Sequence, residues 1–281
     1  MGLTEGDLKT YVRSLLRSYA LRPSRKLGQH FLVDERAVRM FVSTVEPGST
    51  AYEIGCGLGS LTIPLAARAS YVLCSELDER LARILSSVLE KRGCANVDIV
   101  VADALTFQLS ASSYIVVSNT PFNISSALIV KLCYEKGLKY AVLGVQRELG
   151  LRLLAKPGES DYGRLSVIAS LCFKIDKLFG IPATSYLPRP EVGTLVVKMV
   201  PSRYVPDDTL HAVEVITRRL FSLRNKRMAK ALAEAFGVEG SGLTRLLANC
   251  RISPGQRVYE TTPEQFLCLA LEGLLTGFLG L

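Results

Sequence analysis

The sequence lacks the marks of several protein classes. No stretch reaches about 18 consecutive apolar residues, so no transmembrane helix and no membrane partner are expected. Residues 1–19 mix charges with leucines and lack the apolar core of a signal peptide, which predicts an amphipathic helix. Only two histidines occur and none of the seven cysteines forms a CxxC pair, so no metal site is expected.

The composition is that of an ordinary globular protein. The chain has 281 residues, of which 48% are apolar and 21% charged, enough for one large domain or one domain plus a small second one. Most cysteines lie in apolar runs, and we expect them to be buried small hydrophobes in a reducing cytoplasm.

The charge balance is basic, at +8, from 34 Lys and Arg against 26 Asp and Glu. An excess of this size suits a polyanion such as nucleic acid, although it also suits simple solubility. Residues 217–230 contain basic side chains and no acidic one, which makes them a candidate RNA-binding run: Arg218, Arg219, Arg224, Lys226, Arg227 and Lys230.

The middle of the chain alternates short apolar runs with longer amphipathic ones, which predicts an α/β fold with a parallel sheet covered on both faces. The predicted strands are 51–54, 71–75, 97–101, 114–117 and 141–145. The predicted helices are 61–69, 81–92, 125–135 and 147–155. Residues 166–173 and 194–200 are β-rich and predict a closing pair of strands.

The pattern becomes helical after two prolines, Pro201 and Pro206. Helices are predicted at 210–223, 226–236, 243–248 and 263–274. We therefore expect a domain of residues 1–200, with an N-terminal helix in 1–24, and a small all-helical domain of residues 201–281.

A glycine-rich turn follows the first predicted strand, with Gly55, Gly57 and Gly59 in a GxGxG pattern. Glycines there let the backbone approach a ligand closely. Glu76 ends the second strand, where an acid reaches the ribose hydroxyls of an adenosine-containing cofactor.

The type of cofactor follows from charge and spacing. A dinucleotide fingerprint would need glycine where Ser60 stands, and Glu53 would lie badly beside a pyrophosphate. S-adenosylmethionine carries a sulfonium and an amino group, which tolerate carboxylates. Asp103, after the third strand, is a candidate acceptor for the adenine amine, although a turn or helix-capping aspartate is the simpler interpretation of that residue alone.

The fourth strand ends in Asn119, Thr120, Pro121 and Phe122, the proposed catalytic residues. The Asn119 side-chain carbonyl and the Thr120 backbone carbonyl could hold the two N–H bonds of adenine N6 and aim its lone pair at the methyl group. Phe122 could stack on the base. The alternative interpretation is a simple strand-ending turn, since Asn and Pro are turn residues.

These segments together resemble the small-subunit ribosomal RNA adenine dimethyltransferase family, from about residue 24 to about residue 270. The matching segments are KLGQHFL (26–32), EIGCGLGSLT (53–62), ELD (76–78), DA (103–104), NTPFNISSAL (119–128), QRE (146–148), AKPGESDYGRLSV (155–167), YLPRPEV (186–192) and LFSLRNKR (220–227).

The resemblance implies a Rossmann-like class I methyltransferase sheet and a helical domain that holds rRNA or the small ribosomal subunit. It implies dimethylation of N6 of two adjacent adenosines in the 3′-terminal hairpin loop of small-subunit rRNA, by a cytoplasmic monomer acting in ribosome biogenesis. The family's cofactor contacts map onto the glycine turn and onto His30, Leu32, Gly55, Glu76, Asp103 and Asn119.

Three positions depart from the family pattern: Thr120 stands where Leu or Ile is usual, Phe122 where Tyr is commoner, and His30 where Asn is frequent. Two alternatives stay open. One is a catalytically weak or inactive member that acts as a ribosome-assembly or transcription factor. The other is a methyltransferase for a large-subunit rRNA adenine.

Overall fold

The computed structural model describes residues 7–24, 26–109, 112–202 and 205–279. The strands are β1 (Phe31–Leu32), β2 (Thr50–Ile54), β3 (Tyr71–Glu76), β4 (Val97–Val101), β5 (Tyr114–Asn119), β6 (Leu138–Gln146), β7 (Phe173–Ile181), β8 (Tyr186–Leu187) and β9 (Thr194–Pro201). The helices are α1 (Asp7–Ser18), α2 (Glu35–Ser43), α3 (Thr62–Ala66), α4 (Glu79–Arg92), α5 (Ser125–Leu132), α6 (Arg147–Leu154), α7 (Arg164–Cys172), α8 (Asp207–Phe221), α9 (Met228–Phe236), α10 (Gly240–Asn249) and α11 (Pro263–Thr276). Within these ranges, no helix is both long and apolar enough to cross a membrane.

The main sheet has seven strands in the order β4-β3-β2-β5-β6-β9-β7. Parallel pairing joins β4 to β3, β3 to β2, β2 to β5 and β5 to β6, whereas β9 runs antiparallel to β6. The predicted α/β fold is confirmed as a Rossmann-like class I methyltransferase sheet, and the five strands predicted between residues 51 and 145 are present. The first six residues of the predicted N-terminal helix lie outside the described residues.

The site lies where the chain reverses its direction of strand addition. The chain moves from β2 outward to β3 and β4, and then returns to place β5 on the other side of β2. Ligands of open α/β sheets bind at this switch point, outside the carboxyl ends of the strands. The core strand β5 is rigidly buried there, with Ile115, Val116 and Val117 fully buried.

Helix α4 shows how local signals set an element beside the site. Its N-cap is Asp78, whose carboxylate accepts a hydrogen bond from the Arg80 backbone N–H at 3.1 Å. It ends at Gly93, which has a φ of 69° and closes the last turn in the left-handed conformation. The turn between β3 and α4 is thereby fixed in place.

The chain divides into two compact units, and their limits differ from the domain boundary that was expected at residue 200. One unit comprises Met1–Gly150 and Asp176–Val200, and the other comprises Leu151–Ile175 and Pro201–Leu281. Residues 151–175 join the C-terminal helices because α7 packs against α8 and α11. This grouping depends on contacts between segments far apart in sequence, which a composition shift does not reveal.

The predicted strand at 166–173 was wrong, because residues 164–172 form helix α7. Leu165, Val167, Ile168, Leu171 and neighbouring residues are buried on nearly every side of this helix. An apolar helix that is buried all round shows no 3.6-residue periodicity, so its sequence resembles that of a buried strand. The strand prediction at 194–200 is confirmed by β9.

The expectation for the cysteines was wrong for one pair. Cys250 and Cys268 form a disulfide within the second unit, with their Cα atoms 5.5 Å apart. The other five are free thiols, and Cys56, Cys74 and Cys172 among them are buried as predicted. The two partners are 18 residues apart in sequence and meet only because α10 and α11 pack together.

Candidate active site

A cavity of about 240 Å³ opens at the carboxyl ends of β2, β3 and β5. Every residue that the sequence predicted for catalysis or cofactor binding lines this cavity: His30, Leu32, Gly55, Gly57, Glu76, Asp103, Asn119, Thr120, Pro121 and Phe122. These residues come from five separate stretches of the sequence, and the sheet brings them together in one unit.

The glycine turn lies directly against the turn that follows β5. Gly55 has a φ of 73°, and a Cβ there would lie 3.1 Å from the Pro121 Cγ. Gly57 has a φ of 55°, and a Cβ there would lie 3.2 Å from the Phe31 ring. A larger residue at either position would be strained in its backbone and would crowd the cavity wall. The two turns can therefore hold two ligands close to each other.

Two buried glutamates stand under the glycine turn. Glu76 accepts hydrogen bonds from the backbone N–H of Gly57 at 2.8 Å and of Asp78 at 2.9 Å. Burial raises the pKa of Glu76, while these N–H groups oppose that rise. Burial raises the pKa of Glu53 to about 7, against a hydrogen bond from the Cys74 thiol at 3.6 Å that favours the charged form.

Asp103 shapes its own turn as well as lining the cavity. Its Oδ1 accepts a hydrogen bond from the Leu105 backbone N–H at 2.9 Å, as expected of a turn aspartate. The same turn is held from α5, where the Lys131 ammonium donates to the Ala104 carbonyl at 2.8 Å and also to the Phe107 carbonyl. These hydrogen bonds therefore hold the Asp103 carboxylate in place in the cavity wall.

The side-chain amide of Asn119 is held at both ends. Its Nδ2 donates to the His30 carbonyl at 3.3 Å, and its Oδ1 lies 3.1 Å from the Tyr186 hydroxyl. The Tyr186 oxygen is also 2.8 Å from the Thr194 Oγ1. Since a phenol has one proton and an amide oxygen only accepts, Tyr186 donates to Asn119. One lone pair of the Asn119 oxygen then remains for another donor.

The rest of the turn after β5 is equally ordered. The Thr120 N–H donates to the Gly144 carbonyl at 3.0 Å, while its buried Oγ1 has no hydrogen-bond partner. The Phe122 ring is half-buried, with its centroid 5.5 Å from that of the His30 ring. His30 itself is anchored through its Nδ1, 2.9 Å from the Pro188 carbonyl.

Two cavity residues, Tyr186 and Gln29, were not singled out by the sequence reasoning beyond their place in matching segments. Tyr186 lies in β8, which pairs antiparallel with β1 through Leu32. It is 67 residues from Asn119 in sequence, so only the fold brings the two side chains together.

The predicted RNA-binding run lies on the second unit, with Arg218, Arg219, Lys226, Arg227 and Lys230 exposed. Three members have partners in the same unit, and one of them is Arg219, which donates to the Ala235 carbonyl at 3.4 Å and lies over the Phe236 ring. Lys226 pairs with Glu234, and Arg224 is half-buried, donating to the Ser160 carbonyl at 3.0 Å. The structure thus presents most of the run to solvent and uses Arg224 to hold a neighbouring loop.

Comparison with known proteins gives a consistent result. The sequence model of the family described as "Ribosomal RNA adenine dimethylase" matches residues 21–272. A "Probable ribosomal RNA small subunit methyltransferase A" from Aeropyrum pernix is 40% identical over 196 residues, which cover 68% of this chain and 69% of the relative. A "Ribosomal RNA small subunit methyltransferase A" from Moorella thermoacetica is 35% identical over 277 residues, which cover 92% of this chain and 94% of the relative. A dimethyladenosine transferase from Plasmodium falciparum has the same fold, with a TM-score of 0.78 at 24% identity over 88% of this chain and 98% of that one.

Proposed function

The chain belongs to the ribosomal RNA adenine dimethylase family, and we propose which of its residues carry out the reaction. The reaction is S-adenosylmethionine-dependent dimethylation of N6 of two adjacent adenosines in the 3′-terminal hairpin loop of small-subunit rRNA. The small-subunit target is supported by the names of the relatives from Aeropyrum pernix and Moorella thermoacetica. The protein thereby acts in ribosome biogenesis.

The cavity fits the methyl donor in its chemistry. It combines backbone that approaches closely at Gly55 and Gly57 with carboxylates at Glu76 and Asp103. We assign Glu76 to the ribose hydroxyls and Asp103 to the adenine amine, with His30, Leu32 and the Asn119 region completing the walls. S-adenosylmethionine supplies an electrophilic methyl group on a positively charged sulfur, which suits a cavity lined by carboxylates.

The catalytic assignment rests on one observation: the Asn119 side-chain amide is held by hydrogen bonds at both its nitrogen and its oxygen. Adenine N6 is a poor nucleophile because its lone pair is delocalised into the ring. The Asn119 Oδ1 and the Thr120 carbonyl accept its two N–H bonds and favour a pyramidal nitrogen. Stacking on Phe122 contributes about 1–3 kcal/mol, and Pro121 keeps the turn extended at Thr120. Positioning of the amine supplies most of the acceleration.

Methyl transfer to purified small subunits that lack this modification tests the assignment. The wild-type protein should transfer two labelled methyl groups to each target adenine. Asn119→Ala should lower kcat by about 100-fold or more, by analogy with the loss of one polar group that stabilises a transition state. Asn249→Ala, an exposed asparagine on the second unit, is the matched control.

An Asn119→Ala variant with full activity would refute the amine clamp. Cofactor binding without methyl transfer by the wild type would instead indicate an assembly or transcription factor. Methylation of large-subunit rRNA would indicate the other target.

The exposed basic run on the second unit serves to hold the rRNA phosphates. Each phosphate contact releases counterions, so the affinity for the particle should fall steeply with salt. The double variant Arg227→Ala/Lys230→Ala should flatten that salt dependence by about two phosphate contacts. A slope equal to that of the wild type would refute this role. We propose that the protein acts as a monomer in the cytoplasm.

A further inference from the structure

Residues 26–30, the strap, form part of the cavity wall and are tied to other parts of the first unit. The Asn123 Nδ2 donates to the Lys26 carbonyl at 3.4 Å, next to the turn that holds the target base. Leu27, Gly28, Gln29 and His30 all line the cavity. The first residue of the strap thus contacts the turn after β5, and the last residue of the strap is His30.

Gln29 connects this strap to the cofactor side of the cavity. Its Oε1 accepts from the Ser24 backbone N–H at 2.7 Å, and its Nε2 donates to the Asp78 Oδ2 at 3.1 Å. The amide orientation follows from these partners, because a backbone N–H only donates and a carboxylate only accepts.

Asp78 is a firm anchor for this bond. The Arg80 guanidinium donates to both of its carboxylate oxygens and holds the pKa of Asp78 low, at about 2. Asp78 is buried and also caps α4. Its backbone N–H donates to Glu76, which in turn accepts from Gly57. A continuous series of hydrogen bonds therefore runs from the strap through Gln29 to Glu76 and the glycine turn.

We propose that Gln29 is a positioning residue that holds the strap closed against the turn after β3, and so sets the affinity for the methyl donor. This inference rests on the proposed function. The Gln29 bond to an ionised carboxylate is among the stronger hydrogen bonds in proteins. Without this hydrogen bond, the strap is no longer tied to Asp78. Cofactor binding must then supply the free energy that orders the strap.

The test compares cofactor affinity with turnover. Gln29→Met keeps the side-chain length and removes both hydrogen bonds. It should raise the Kd for S-adenosylhomocysteine, measured by calorimetry, by about tenfold. It should leave kcat at saturating S-adenosylmethionine within about twofold of wild type, because the Pro188 carbonyl still anchors His30 and the Tyr186 hydroxyl still holds Asn119. Gln108→Met, an exposed glutamine in the same unit, is the control and should change neither quantity.

A second variant separates the hydrogen bond from general packing. In Gln29→Glu, a carboxylate faces Asp78 above neutral pH, whereas a protonated carboxyl can donate to Asp78 and accept from Ser24. The ratio of its Kd to that of wild type should exceed the Gln29→Met ratio near pH 8 and fall as the pH is lowered toward about 4, the ordinary range of a glutamate pKa. The other charged and titratable groups there are Arg80, Glu76 and His30, and wild type and variant share all three.

Two results would overturn the inference: an unchanged Kd in Gln29→Met, whether or not kcat falls, or a Gln29→Glu ratio near pH 8 that is no higher than the Gln29→Met ratio. Failure of the proposed function would look different, since the wild-type protein itself would then bind no S-adenosylhomocysteine or transfer no methyl group.

Discussion

The burial of Glu53, which lines the cavity, predicts how the stability of the protein depends on pH. This carboxyl is fully buried under the glycine turn, and burial raises its pKa from the ordinary 4.5 to about 7. The nearby Glu76 raises it further by like-charge repulsion, while the hydrogen bond from Cys74 lowers it. Between these two pH values the folded protein binds a proton that the unfolded chain has released.

The sign and size of the effect follow from proton linkage. Because the folded state holds the extra proton, stability falls as the pH rises from about 4.5 through about 7. A pKa difference of this size is worth about 3 kcal/mol in full, and about 2–3 kcal/mol between pH 5 and pH 8. Glu53 thus destabilises the fold at neutral and alkaline pH.

Glu53→Gln removes the titration and keeps the size of the side chain. Urea unfolding of both proteins from pH 5 to pH 8 should show the variant gaining about 2–3 kcal/mol on the wild type across that range. Effects of the substitution that do not depend on pH cancel in this comparison, and so do titrating groups that do not interact with Glu53. Parallel stability curves would show that the Glu53 pKa is ordinary and that the reasoning from burial is wrong.

Three further predictions concern stability. Reduction of the Cys250–Cys268 disulfide should lower the free energy of unfolding by about 3 kcal/mol, and a Cys250→Ser/Cys268→Ser variant should show the same loss and no response to reductant. Lys131→Met should cost about 1–3 kcal/mol in urea unfolding, because the Ala104 carbonyl loses a charged donor; an unchanged midpoint would contradict this. Thr120→Val should raise the free energy of unfolding by about 1 kcal/mol and keep methyl transfer, because the buried hydroxyl has no partner and only the backbone carbonyl is assigned to the reaction; loss of activity would show that the hydroxyl is used.

The periodicity of apolar residues predicted secondary structure well where it was strong and failed where it was absent. The strands β2 to β6 and the helices between them alternate in a pattern that only an α/β sheet explains, and the structure has them. Helix α7 is buried on nearly every side, so its sequence carries no face, and the strand predicted there was wrong. The grouping of residues 151–175 with the C-terminal helices was missed because it depends on contacts of α7 with α8 and α11, which are far away in sequence.

The sequence by itself determined the five parallel strands of the sheet, the glycine turn and the ends of those strands, because each strand end delivers its next residue to the same edge of a parallel sheet. That rule is local, and it was enough to collect Gly55, Glu76, Asp103 and Asn119 in one cavity. Only the tertiary structure decided what holds those residues in place. The contacts of Asn119 with Tyr186, of Gln29 with Asp78 and of Cys250 with Cys268 join positions 67, 49 and 18 residues apart. Such pairs have no periodicity to mark them, because their distance along the chain is set by the packing of whole elements.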